Sequence, residues 1–190
     1  MRLGPPADRP WNRYMIWITA YDPAWPDAYA RASTALLRAM GERIVAIEHT
    51  GSTSVPGLAA KPVIDICAAT RDLAGFAAMQ VRLQEIVYEP EDYGAAQRLF
   101  YVRKRADGKR THHLPVFPFD QWPMLKERMF AAHLRQYADA AARYAALKLQ
   151  LAGLGLDREA YTRGKTALIQ ELMDAARAER GLPPEPVWEE

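Results

Sequence analysis

A chain of 190 residues, 49% apolar and 25% charged, is long enough to bury one core and has the balance of an ordinary globular domain. Its formal net charge of +2 is too small to imply nucleic acid by itself, and its single cysteine excludes an internal disulfide framework. No apolar run reaches bilayer length, so the expectation is a soluble cytoplasmic protein.

Residues 1–13 and 181–190 are rich in Pro, Gly and charge and read as flexible tails around a single domain over 14–180. Ile16-Trp17-Ile18 is a candidate first strand, ended by Tyr21-Asp22-Pro23. From Ala24 to Met40 the residues Trp25, Tyr29, Ala32, Leu36 and Met40 recur at three to four positions, one face of a helix. Pro26 lies in its first turn, where proline is tolerated, and Gly41 ends it. Residues 43–49 then read as a strand running into a Gly-Ser turn, and Val63–Cys67, after Pro62, as a second strand. A helix is expected over Asp72–Val87 and a loop over Glu89–Ala96.

Asp107-Gly108 between two β-rich runs predicts a hairpin. With a two-residue turn, Ala106 pairs with Lys109 and Val102 with His113. Arg98, Phe100, Val102 and Lys104 then share a face with Thr111, His113, Pro115 and Phe117, while Leu99, Tyr101, Leu114 and Val116 take the other. A one-residue bulge would undo that register. Helices follow over Trp122–Gln136, over Ala140–Ala152 behind an Asp139 cap, and from an Asp157 cap to Arg180, with a break at Gly153 and Gly155.

The stretch Gly51-Ser52-Thr53-Ser54-Val55-Pro56-Gly57 is dense in backbone N–H and hydroxyl donors, the chemistry of an anion cradle, although small polar residues also fill ordinary turns. It is not a P-loop, because Leu58 follows Gly57 where Lys-Ser/Thr is required. Asp65 stands in an apolar strand, where an unpaired carboxylate is expensive; a metal, Lys61 or an arginine are candidate partners. Tyr144 and Lys148, and again Tyr161 and Lys165, are spaced four apart, so each pair shares a helix face.

The run GSTSVPGLAAKPVIDI (residues 51–66) resembles the signature of the GrpB family, as do Asp22-Pro23-Ala24-Trp25 before the first helix and His112-His113-Leu114. That resemblance implies an α+β, nucleotidyltransferase-like fold: a small mixed sheet from segments near 44–49, 62–68, 98–104 and 111–117, flanked by helices, with a helical C-terminal segment closing a cleft. It implies a nucleotide or other phosphorylated small molecule as partner, with Mg²⁺ on Asp65. Asp65 and His113 become the catalytic candidates. Gly51, Ser52, Thr53, Ser54, Lys61, Arg98, Arg135, Lys148 and Lys165 become the substrate- or phosphate-binding ones. Two positions depart from the pattern. Cys67 stands where active nucleotidyltransferases commonly carry a second carboxylate, which removes a hard oxygen ligand from a Mg²⁺ site. Pro115 replaces the last histidine of the family's His-His-Leu-His.

Three readings follow. The first is an enzyme moving a nucleotidyl or phosphoryl group to an unknown small acceptor. The second is a non-catalytic binder of an anionic small molecule or nucleotide without a full metal centre. A further acid near Asp65 favours the enzyme, and an apolar wall there favours the binder. The third, RNA binding by the basic hairpin tip around Arg103–Arg110, ranks last, because no stacking aromatics accompany those charges.

Overall fold

The computed structural model describes residues 17–92 and 97–187. The expected tail at 1–13, residues 188–190 of the expected tail over 181–190, Ile16 of the expected first strand, and residues 93–96 of the expected loop lie outside them. Five strands form one mixed sheet in the order β1-β2-β5-β4-β3: β1 (Ala46–Thr50), β2 (Ile64–Thr70), β3 (Tyr88–Pro90), β4 (Leu99–Lys104) and β5 (Arg110–Pro118). Only β2 and β5 run parallel, so the sheet is mixed, as expected. The helices are α1 (Trp25–Met40), α2 (Leu73–Ala78), α3 (Gln80–Glu85), α4 (Lys126–Gln136), α5 (Ala138–Gly153), α6 (Arg158–Gly164) and α7 (Thr166–Ala178).

Alternation along the strands decides what each face does. Ile64, Ile66 and Ala68 of β2, with Tyr101, Leu114 and Val116, bury against Leu36 and Met40 of α1 and against Phe76 and Leu83. The opposite face carries Asp65 and Cys67 of β2 and His113 of β5 toward the C-terminal helices. A second cluster ties those helices to the signature loop: Val55 and Leu58 pack with Leu134, Ala140, Tyr144 and Leu172. Burying two aliphatic side chains contributes about 2 kcal/mol each, enough to hold the loop at a fixed distance from α5.

Several expectations change. Trp17 and Ile18 form no strand; instead Thr19 makes an isolated bridge to Ala60. The helix expected over 72–87 divides at Met79, and the loop expected from Glu89 begins as the edge strand β3. Asp139 does not cap α5, which starts at Ala138 without a side-chain cap. Asp157 does cap α6, accepting from the Ala160 N–H at 2.8 Å, but the final helix breaks at Lys165. The expected tail is held over 183–187. Arg177 donates to the Pro183 carbonyl, Lys126 to the Pro186 carbonyl, and the Val187 N–H to Gln170.

The hairpin reaches the expected register by an unexpected route. Its loop is three residues long, closed by the Arg105 N–H donating to the Lys109 carbonyl, with Gly108 at φ +77°. That alone would shift every pair by one. A bulge between Arg103 and Lys104 then restores it, so Val102 does pair with His113. Leu99, Tyr101, Leu114 and Val116 share the core face, as expected.

Candidate anion-binding site

Gly51 turns the chain sharply between β1 and the helical turn Ser52–Ser54, at φ +65° and ψ −175°, a conformation only glycine adopts readily. A side chain there would also strike Asp65, because a Cβ would lie 2.2 Å from Oδ2. The turn thus rests directly on the strand carboxylate. The three hydroxyls that follow do different things. Thr53, fully buried, donates to the Val63 carbonyl and bonds His49 at 3.0 Å. Ser54 donates to the Gly51 carbonyl at 2.7 Å. Ser52 turns to α5, accepting from Lys148 Nζ at 2.9 Å.

A cleft of about 280 Å³ opens here, lined by Gly51, Ser52, Thr53, Lys61, Asp65, His113, Tyr144, Lys148, Arg158, Tyr161 and Lys165, among others. Four bases face one acid. Lys148 is 3% exposed and also donates to the Ala59 carbonyl at 2.6 Å. Its ammonium lies 4.6 Å from the Tyr144 ring, and that of Lys165 lies 4.5 Å from the Tyr161 ring, the two pairs that the spacing of four set on common faces. Burial, reinforced by the charge of Lys165, pulls the Lys148 amine down to about 7. Burial also lowers Lys165, opposed by the charge of Asp65. An anion entering the cleft would relieve both.

Asp65 finds its partner in His113, not in Lys61 or an arginine. The two face each other across the parallel β2–β5 pair, with Nδ1 and Oδ1 2.8 Å apart. His113 Nε2 is buried without a hydrogen-bond partner. Cys67 is fully buried with Phe117, Leu125 and Trp122, its Sγ 3.2 Å from Thr50 Oγ1. Burial pushes its thiol far up, which keeps it protonated and unsuited to ligate metal. Glu48, opposite Cys67 on β1, is already held by Arg128 at 2.6 Å and Arg135 at 3.5 Å. Among the described residues no three His, Cys, Asp or Glu side chains are grouped to hold a metal ion. The donors present therefore do not fit a two-metal centre, which needs several carboxylate oxygens.

Two expected phosphate ligands lie elsewhere. Arg98 is on the same sheet face as His113 but stacks over Phe117 and pairs with Glu127 at 3.3 Å. Arg98→Ala is expected to leave anion affinity within about twofold of wild type; a larger loss in calorimetric titration would return Arg98 to the site. Arg135 sits behind the turn, donating to the His49 carbonyl at 2.6 Å and to both the carbonyl and hydroxyl oxygens of Ser54. It braces the loop from outside. Arg135→Ala should cost about 1 kcal/mol of stability and weaken anion binding about tenfold by loosening the turn. Denaturant titration and calorimetry on one sample check both, and unchanged affinity would mean that the loop holds its shape unaided.

Arg158 was not foreseen. A cation in the first turn of a helix opposes the helix dipole, and that misfit was the available signal.

A profile of the family described as GrpB protein matches residues 15–175. The chain belongs to the GrpB family. Over 167 residues it is 36% identical to a UPF0157 protein of Pseudomonas aeruginosa, covering 86% of this chain and 68% of that one. It is 30% identical over 160 residues to a dephospho-CoA kinase of Mycolicibacterium paratuberculosis, covering 72% of this chain but only 39% of the kinase. Among solved structures, the conserved protein GrpB from Enterococcus faecalis superposes with a TM-score of 0.78 at 31% identity, covering 87% of this GrpB chain and 99% of that one. Among the described residues no helix is long and apolar enough to cross a membrane.

Proposed function

We propose that this GrpB protein binds a phosphorylated small molecule, a nucleotide above all, in the cleft between the 51–54 turn and helices α5 and α6. The observation that carries the reading is Lys148. It is a buried amine 96 positions away in sequence that reaches the one hydroxyl of the turn facing the cleft, with Lys165, Lys61 and Arg158 around the same space. Such an excess of cations over acid, beside a turn rich in donors, is suited to phosphate oxygens. The volume suits a di- or triphosphate moiety better than a polymer. The relative named for dephospho-CoA kinase is in keeping with a nucleotide or coenzyme context.

The apolar wall at Cys67 and the engagement of Asp65 by His113 favour binding through lysines over nucleotidyl transfer by two Mg²⁺ ions. His113 engages only Oδ1 of Asp65, which leaves Oδ2 to meet a single Mg²⁺ arriving with a triphosphate. Titration of pyrophosphate, ADP and ATP, each with and without Mg²⁺, tests the reading. Binding that persists without Mg²⁺ is expected. Binding that requires Mg²⁺ and disappears in Asp65→Asn would instead support the metal-dependent nucleotidyltransferase, and no binding at all would remove the cleft from consideration.

A further inference from the structure

We propose that Ser52 and Lys148 form a nucleophile–base pair, by which the cleft opens phosphoanhydrides through a covalent phosphoserine without needing a metal. The inference rests on the anion-binding reading of the cleft and goes beyond it by assigning bond breaking to a particular oxygen. Ser52 lines the cleft, and its Oγ is 2.9 Å from Lys148 Nζ, within the reach that proton transfer requires. Lys148 is itself oriented, because its Nζ also contacts the Ala59 carbonyl at 2.6 Å, and Tyr144 is hydrogen-bonded to Ser52 from the same helix. Nucleophile, base and orienting groups are therefore all present. A neutral amine can keep its N–H on Ala59 while its lone pair accepts the Ser52 proton.

The other titratable groups around this space are Tyr144 on the same helix, Tyr161, Arg158 and Lys165 from the α6 side, and Lys61, Asp65 and His113 from the sheet side. The cations among them are placed to neutralise charge on the non-bridging phosphoryl oxygens as it develops. Phosphorus is preferred over carbon as the electrophile for that reason.

In the first step the Ser52 Oγ–P bond forms and the P–O bond to the leaving phosphate breaks. The Ser52 proton passes to Lys148 Nζ, and the leaving phosphate departs as an anion. In the second, a water oxygen replaces Oγ on phosphorus, and Lys148 returns its proton to Ser52. One water proton stays on the product phosphate and the other goes to solvent. Water is the only co-reactant.

An alkyl fluorophosphonate probe, which labels activated serines, separates this pair from a passive phosphate cradle. With the full-length protein, peptide mapping should place the label on Ser52. The labelling rate should rise with pH through about 7, because the neutral amine is the base. Ser52→Ala should abolish it, and Lys148→Met should slow it about 100-fold. If Lys148→Met does not fold, the wild-type pH profile carries the test. A profile flat between about pH 6 and 8, no label on Ser52, or a Lys148→Met rate within about twofold of wild type would each overturn the pair. Calorimetric anion binding without labelling would overturn the pair alone; absence of both would overturn the cleft reading as well.

Discussion

Gly51→Ala is expected to destabilise the protein by about 3 kcal/mol or more and to abolish anion binding. Two costs add. The backbone at φ +65°, ψ −175° is strained for any L side chain, and the new methyl would have to occupy space held by the Asp65 carboxylate, whose Oδ2 lies 2.2 Å from the Cβ position. Neither side can yield cheaply. Asp65 is fixed by His113 at 2.8 Å, and the turn is anchored through Val55 and Leu58 in the helical cluster. Urea denaturation of wild type and variant measures the loss. A difference below about 0.5 kcal/mol would show that the turn and Asp65 are not in the close contact described.

Lys148→Met is expected to lower anion affinity about 100-fold while changing how stability depends on pH. The wild-type amine, at about 7 in the folded chain against 10.5 ordinarily, is protonated at lower pH when folded than when unfolded. The unfolded chain therefore binds more protons between those values, and stability rises with pH from about 7 toward 10. That slope should flatten in Lys148→Met. Anion binding has the opposite sign. A bound anion favours the ammonium, so affinity for sulfate, which stays a dianion throughout, should fall as pH rises through about 7. Denaturation midpoints and sulfate titrations from about pH 6 to 9 read both. A sulfate affinity flat across that range, or unchanged in the variant, would mean that Lys148 does not meet the anion. His49 and His112, both pushed down to about 4 by burial, stay neutral in the folded chain across that range; they leave sulfate affinity untouched but add to the rise in stability below about pH 7, equally in wild type and variant.

What could be read from the sequence followed from local pattern. Helix α1 was legible because Trp25, Ala32, Leu36 and Met40 repeat with the helical period, and all four are buried. The Tyr144–Lys148 and Tyr161–Lys165 pairings were legible for the same reason. The partner of Asp65 was not, because nothing local to residue 65 fixes the parallel register that brings up residue 113. Nor were the bonds that Thr53, Ser54 and Arg135 make to backbone carbonyls. A hydroxyl or guanidinium looks the same in sequence whether it faces a ligand or a backbone carbonyl, and only the fold decides. The hairpin shows the opposite case: its turn is one residue longer than Asp107-Gly108 alone implies, and the bulge between Arg103 and Lys104 offsets the extra residue, so Val102 still pairs with His113.

A crystal structure of this GrpB protein grown with pyrophosphate locates the bound anion directly. Phosphate density is expected within hydrogen-bond distance of Ser52 and Lys148, with Lys165 on the same anion. Density confined to the basic hairpin tip around Arg103 and Arg105, or a cleft that excludes the anion at saturating concentration, would contradict it.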